Sequence, residues 1–213
     1  MALELVSIHV PKTAGTSLAH SFCQAYGDDR VVSLTRKLVR GNENNLNVHL
    51  HPNTRVLHGH FFYSEIDPHI LADENIRLIA MVRNPIDRVV SNYHHFIKTT
   101  KEHFPGSRKW LRRFESLLKY ASREHTQNVL NRYLAPYNWD RFAFIGVQEC
   151  FAEDLARLSV LLGWDPNTEE YRLNVHKRKK ELTQEEEYYL TRWNQEDIKL
   201  YEELVSMRNL KKW

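Results

Sequence analysis

The chain has 213 residues, enough for one medium-sized α/β domain, and we expect a single domain over residues 1–213. Its composition, with 42% hydrophobic residues and only 7 Gly and 7 Pro, excludes collagen-like, low-complexity and disordered proteins. The formal net charge of +3 is too small to indicate a general nucleic-acid binder.

Apolar patterning divides the chain into strands that alternate with helices. Short β-rich runs predict strands over 5–10, 30–34, 55–60, 76–82 and 143–147. Helical spacing predicts helices over 16–26, from Pro85 onward, in two pieces over 108–134, over 149–162 and over 183–207, while the Asn-rich stretch 41–53 is typical of a loop. This alternation predicts an α/β fold: a mainly parallel sheet flanked by helices, with ligands beyond the carboxyl ends of the strands.

Charge is unevenly distributed along the chain. Residues 83–141 carry 12 basic and 5 acidic side chains, whereas the segments on either side are slightly acidic. This basic block indicates a localised anionic partner, although a solvated helical surface explains many of the individual charges equally well.

The first candidate site is the loop Pro11–Ser17, between the first predicted strand and the first helix. It combines amide groups at a helix N-terminus with one ammonium group at Lys12, a permissive Gly15 and the hydroxyls of Thr13, Thr16 and Ser17. Such a set suits a phosphate or a sulfate. The loop is not a Walker A motif, because Lys12 precedes its only glycine.

The second candidate site follows the most apolar predicted strand. Arg83 stands at the carboxyl end of that strand, and Ser91 lies two turns into the following helix. A guanidinium and a hydroxyl that converge there are suited to a second phosphate. We interpret Arg88 as a structural ion-pair partner.

The third candidate site is His58-Gly59-His60, where alternation places both imidazoles on one face of a strand. One of them is a candidate general base, since a free imidazole titrates near neutral pH. Two alternatives stay open: purely structural histidines, or a metal site shared with His49 and His51. At most one of the adjacent residues His94 and His95 can join a site, because they point to different faces of a helix.

Together, in this order, the three motifs resemble sulfotransferases that use 3′-phosphoadenosine 5′-phosphosulfate (PAPS), most closely the glycan branch typified by heparan sulfate 2-O-sulfotransferase. The segments that carry the resemblance are Val10–Ser17, Val82–Arg88 with Ser91 and Tyr93, and His58–His60. Asn84 departs from the aspartate that the family usually has between the arginine and the proline. The resemblance implies a P-loop-like sulfotransferase fold.

The resemblance also implies the roles of the candidate residues. His60 is the catalytic base, His58 supports it, and Lys12 neutralises charge on the leaving phosphate. The donor contacts are Lys12, Thr13, Ala14, Gly15, Thr16, Ser17, Arg83 and Ser91, with Lys177 and Arg178 in a late basic loop that a solvated helix start explains equally well. No metal is required.

The resemblance implies an acceptor hydroxyl on a carbohydrate such as an acidic glycan, with no nucleic acid as partner; the oligomeric state is left open. The sequence has neither a run of ~18 apolar residues nor a signal-peptide pattern, so we expect a cytoplasmic protein, or a Golgi-lumen enzyme if the chain is a fragment. Cys23 and Cys150 indicate neither a disulfide framework nor a cysteine-based metal site. The alternatives are a non-catalytic nucleotide- or anion-binding protein of the same fold and a His-metal phosphohydrolase.

Overall fold

A five-stranded sheet forms the centre of the protein, as seen in a computed structural model that describes residues 3–39, 46–103, 112, 114–164 and 181–210. The strands are β1 (Leu5–Ile8), β2 (Val31–Leu34), β3 (Val56–Gly59), β4 (Arg77–Val82) and β5 (Phe142–Val147). Their order is β2-β3-β1-β4-β5, and every neighbouring pair is parallel. The predicted parallel α/β sheet is confirmed.

Nine α-helices accompany this sheet in the described part of the chain. They are α1 (Gly15–Tyr26), α2 (Arg36–Val39), α3 (Pro68–Ala72), α4 (Pro85–His103), α5 (Leu117–Ala121), α6 (Val129–Leu134), α7 (Phe151–Leu162), α8 (Gln184–Trp193) and α9 (Gln195–Asn209). The sequence pattern predicts neither α2 nor α3, because such short helices hold too few apolar positions to show a period. Across the described ranges, no helix combines the length and the apolar character that crossing a membrane demands.

The single helix predicted over 183–207 is wrong, because Asn194 divides it into α8 and α9. Asn194 is fully buried and leaves the helical conformation, with φ −124° and ψ 27°. Its side chain donates to the Leu190 carbonyl and accepts from the Asn128 amide. Contacts of this kind compete with the backbone bonds of a helix, so a buried asparagine ends one helix and starts the next.

The two faces of the sheet are covered by different helices, because side chains alternate along each strand. Leu5 of β1 packs on one face with residues of α1 and α7, such as Phe22 and Leu158. Val6 packs on the opposite face with residues of α6 and α9, such as Leu130 and Leu204. Both faces of β1 are therefore buried, which accounts for its unbroken apolar run.

The candidate motifs meet at the carboxyl edge of the sheet. β1 lies between β3 and β4, with Ile8 opposite Gly59 on one side and Ala80 on the other. The chain passes close to its neighbour here, since a Cβ on Gly59 would lie 2.6 Å from the Leu34 carbonyl oxygen. The ends of three central strands thus converge on one crevice, as expected for a doubly wound sheet.

Candidate active site

A cleft of about 510 Å³ opens at this edge of the sheet, within the range of roughly 300–1,000 Å³ typical of small-molecule sites. Its lining residues are His9, Pro11, Lys12, Ala14, Gly15, Thr16, Ser17, Arg36, His60, Arg83, Ser91, Asn92, His95, Tyr133 and Gln148. Most of the predicted site residues are in this set. Among the described residues that line the cleft, none is acidic, so the cleft suits an anion.

Two predicted residues, Thr13 and His58, are described but do not line the cleft. Thr13 is buried, and its hydroxyl donates to the Val10 carbonyl at 2.7 Å, so it braces the loop instead of facing the cleft. His58 is buried beneath the cleft. Lys177 and Arg178 lie outside the described residues.

The loop before α1 has an unusual backbone. Lys12 and Ala14 both adopt positive φ angles, 73° and 63°, which cost a residue with a side chain about 1–2 kcal/mol each. Ala14 is the N-cap of α1, and no side chain caps this helix. The first amides of α1 therefore point out of the helix without an internal acceptor, beside Thr16 and Ser17, and form a cradle for an anion.

Arg83, which directly follows the neighbouring strand β4, is hydrogen-bonded to this loop. Its Nη1 donates to the Lys12 carbonyl at 3.1 Å, which ties the end of β4 to the loop. Its Nε is buried and has no hydrogen-bond partner among the described residues. Burial is the main cause that lowers the pKa of Lys12, and the charge of Arg83 lowers it further. Two crowded cations and an unsatisfied buried donor together fit an anionic ligand.

The start of α4 shows why Asn84 is compatible with the family pattern. The Asn84 side-chain oxygen accepts from the amides of Ile86 and Asp87, at 3.0 and 3.2 Å, and so caps α4. An asparagine caps as well as an aspartate does. Arg88 is buried and donates to the Thr126 carbonyl, so its role is structural. The sequence predicts an ion pair for Arg88, whereas this hydrogen bond goes to a backbone carbonyl.

His60 presents a defined ring nitrogen to the cleft. Its Nδ1 lies 2.8 Å from the His9 carbonyl, and a carbonyl can only accept, so Nδ1 carries the hydrogen. Nε2 is then the basic nitrogen of the neutral ring. Burial is the main cause that lowers the His60 pKa, and the Arg36 charge adds to it, while the bond to His9 opposes them. The ring is therefore neutral at neutral pH.

His58 lies beneath the cleft, on the face of β3 covered by α1. Its Nδ1 is 2.9 Å from the Ser7 hydroxyl, and its ring contacts the Phe22 ring edge to face. Burial is the main cause that lowers the pKa of His58 to about 3, and the charge of His60 adds to this effect. His58 is thus placed to support the site from behind; its predicted supporting role in catalysis stays a prediction.

His9 is a cleft residue that the sequence analysis missed. It follows β1 directly, and its amide donates to the Gly59 carbonyl at 2.8 Å. Its ring stacks on His60, with centroids 4.1 Å apart, and on His58, with centroids 4.9 Å apart. A signal was present, since parallel pairing of the first and third predicted strands places His9 beside the His-Gly-His motif.

The other candidate histidines, His49, His51, His94 and His95, lie in the described part of the chain. Within residues 3–39, 46–103, 112, 114–164 and 181–210, no three His, Cys, Asp or Glu side chains are grouped as metal ligands, so the site shared with His49 and His51 has no structural support. Of the adjacent pair on α4, His95 lines the cleft, whereas the His94 ring packs against Tyr93.

The basic block contributes less to the cleft than its charge indicates. Of its described residues, only Arg83 is a cationic lining residue, and the other two, Lys12 and Arg36, come from outside the block. Arg123 pairs with Glu115, and Arg141 donates to four backbone carbonyls. These two cations of the block therefore hold the fold together.

Comparison with known proteins agrees with this geometry. The sequence model of the Sulfotransferase family matches residues 2–208, nearly the whole chain. The chain belongs to the sulfotransferase family. The match does not separate the branches of the family, so the glycan 2-O branch stays a prediction. Among curated protein sequences, the chain has no significant match.

Solved sulfotransferase structures share the fold of this family member. A sulfotransferase from Alicyclobacillus acidocaldarius superimposes with a TM-score of 0.54 at 15% identity, covering 97% of this chain and 96% of the other. Mouse sulfotransferase SULT7A1 complexed with PAP gives a TM-score of 0.48 at 16% identity, covering 90% of this chain. The chain spans 64% of the mouse protein's length. The P-loop-like sulfotransferase fold is confirmed.

Proposed function

We propose that this protein transfers the sulfuryl group of PAPS to a hydroxyl of a carbohydrate acceptor. The observation that carries the proposal is the position of His60: its Nδ1 is held by the His9 carbonyl, and it lines the same cleft as Lys12, Arg83 and the uncapped start of α1. A proton acceptor and an anion cradle thus share one cleft, which is the requirement of a hydroxyl-directed transfer.

The residues of the cleft fit the donor in two places. The amides at the start of α1, with Thr16, Ser17 and Lys12, are suited to the 5′-phosphosulfate. Arg83 and Ser91, across the loop, are suited to the 3′-phosphate, and the unpartnered Arg83 Nε gains an acceptor there. The desulfated nucleotide PAP keeps both phosphates and is therefore the natural probe of binding.

In the proposed reaction, His60 Nε2 takes the proton of the acceptor hydroxyl as its oxygen attacks the donor sulfur. The bond between that sulfur and the oxygen of the 5′-phosphate breaks, and the bonding electrons stay on the phosphate oxygen. Lys12 stabilises the charge that develops on this leaving oxygen. The products are the sulfated acceptor, PAP and a protonated His60.

A carbohydrate acceptor is supported by the residues around His60. Arg36 lies close enough to lower the His60 pKa, and its guanidinium stacks over the Phe62 ring at 3.9 Å from the centroid. Tyr133 and Gln148 add a hydroxyl and an amide to the lining. Neutral hydrogen-bonding groups beside a guanidinium that pairs with Glu65 suit the hydroxyls of a carbohydrate.

The test is a screen of glycan and phenol acceptors with labelled PAPS, with His60→Gln as the matched control. We expect label on a glycan with the parent protein and none with His60→Gln, while both bind PAP. A parent that binds PAP but labels no acceptor supports a non-catalytic binding protein, and a parent that does not bind PAP contradicts the proposal outright.

A further inference from the structure

Gly15 is required by its neighbour and not by its own backbone. It is absent from the described residues with positive φ, whereas Lys12 and Ala14 beside it are among them. A Cβ added to Gly15 would lie 1.8 Å from His9 Nε2 and 2.1 Å from His9 Cε1. The imidazole of His9 therefore occupies the space that any other side chain at residue 15 would fill.

The same imidazole supports the His60 ring. The two rings are stacked, with centroids 4.1 Å apart and planes 23° apart. The backbone of His9 holds the motif as well, because its amide donates to the Gly59 carbonyl and its carbonyl accepts from His60 Nδ1. Residue 9 thus fixes both the tautomer of His60, through its carbonyl, and the ring plane, through its side chain.

We propose that His9 is a positioning residue: its imidazole is the shared contact that sets the distance between the His60 ring and the Gly15 end of the anion cradle. The inference deepens the proposed function and rests on it, because it concerns the same base and the same cradle. In-line transfer needs the attacking oxygen and the leaving oxygen at a fixed separation. A rigid ring between the two groups that contact these oxygens provides such a separation.

A neutral ring is needed for this role, and the surroundings of His9 keep it neutral. Burial is the largest cause that lowers the pKa of His9, followed by the charges of His58, His60 and Lys12. A second cation beneath the cradle would crowd Lys12 and repel a proton on His60. The uncharged ring packs against both neighbours without that repulsion.

The first experiment is a double-mutant cycle on PAP affinity, measured by calorimetry for the parent, Gly15→Ala, His9→Ala and the combined variant. We expect Gly15→Ala alone to weaken PAP binding by at least about tenfold, because its new methyl group collides with the ring. The same change in the His9→Ala background should cost less than about threefold. An equal loss in both backgrounds would overturn the inference.

The second experiment needs no ligand, so it separates failure of this inference from failure of the proposed function. Nitrogen-15 spectra of the imidazoles report the tautomer and the pKa of His60. We expect a single Nδ1–H tautomer in the parent and in His9→Phe, which keeps a stacked ring. In His9→Ala, which keeps the carbonyl of residue 9 but loses the stacked ring, we expect a His60 pKa shifted upward, because water then reaches the ring. Unchanged His60 signals in a folded His9→Ala would contradict the positioning role, whatever the result with PAP.

Thermal unfolding of each variant accompanies both experiments. If His9→Ala does not fold, His9→Phe and His9→Leu provide the same contrast between a stacked ring and an aliphatic side chain of similar volume. Rescue by phenylalanine but not by leucine supports stacking as the means of positioning, and equal His60 spectra for the two variants overturn it.

Discussion

The helices α1 and α4 both begin at the carboxyl edge of the sheet, and they begin differently. The start of α4 is capped by Asn84, whose side chain satisfies the amides of Ile86 and Asp87. The start of α1 follows Ala14, which has no capping side chain and a left-handed backbone. The first amides of α4 therefore have a hydrogen-bond acceptor in the side chain of Asn84. The first amides of α1 have no capping side chain and are left for an external acceptor.

The difference assigns a different task to each helix start. At α1 the amides themselves form the anion cradle, with the Lys12 ammonium beside them. At α4 the amides are occupied, so the region contributes side chains to the cleft, Arg83 before the helix and Ser91 within it. In the proposed function, one helix start thus binds an anion mainly through its backbone and the other mainly through side chains.

The largest expected effect separates the chemical roles of the two regions. Lys12→Met should lower the transfer rate by about 10²–10³-fold, because it removes the charge that stabilises the leaving oxygen. Arg83→Met should act on binding instead and weaken PAP by roughly tenfold or more, since a charged hydrogen bond is lost. Transfer kinetics and PAP calorimetry measure the two effects. Lys98→Met, at an exposed lysine of α4, is the control and should change neither.

The next effect tests whether the open helix start binds the anion. Ala14→Asp places a carboxylate on the cradle and should reduce PAP affinity by more than about tenfold. Ala14→Asn is the matched control, because it has the same shape without the charge and tolerates the left-handed backbone. PAP calorimetry of the pair isolates the charge. Equal affinities for Asp and Asn would show that the donor binds away from α1.

The histidines beneath the open helix start should make stability depend on pH. The folded His58 has a pKa of about 3, whereas the unfolded chain takes up a proton at that residue near 6.5. Its contribution to stability is therefore complete above pH 6.5 and is lost as the pH falls towards 3, at about 1.4 kcal/mol per pH unit. Urea unfolding between pH 7 and 4.5 measures this slope.

His58→Gln is the matched variant for that measurement. It keeps a polar group near Ser7 but does not titrate, so the slope of stability against pH should decrease by about one proton. The other buried histidines, whose pKa values are also lowered by burial, contribute to the remaining slope. A slope that is the same in both proteins would contradict the burial of a neutral His58.

The smallest effect concerns the closed helix start. Asn84→Ala removes the cap of α4 and should lower the free energy of unfolding by about 1 kcal/mol. Asn84→Asp restores the capping oxygen and should keep the stability of the parent. Urea unfolding measures both. If alanine costs nothing, the contrast between a capped and an uncapped helix is not what distinguishes the two regions.

The sequence predicts the parallel sheet because strands that are buried on both faces leave apolar runs, as in residues 78–82 of β4. It does not predict the break at Asn194, because that residue is held by contacts with distant Asn128. The basic block predicts an anion site, but two of the cations that line the cleft, Lys12 and Arg36, lie outside this block. The order of the strands in the sheet decides which cations come together, and the sequence does not show that order.

The sequence predicts those residues of the candidate site whose position is set by the local geometry of their own motif. Lys12, Gly15, Arg83 and His60 line the cleft because each lies in or beside a loop at the end of a central strand, and Ser91 lines it from within α4. Thr13 does not line it, because a hydroxyl can turn to a carbonyl three residues earlier. His9 was missed because its role depends on the pairing of β1 with β3.

The most direct test of the contrast between the two helix starts is an amide nitrogen-15 spectrum recorded during titration with PAP. We predict large shifts for the amides of Gly15, Thr16 and Ser17, and small ones for those of Ile86 and Asp87, which Asn84 already satisfies. Large shifts at Ile86 and Asp87, with Gly15–Ser17 unmoved, would contradict the account.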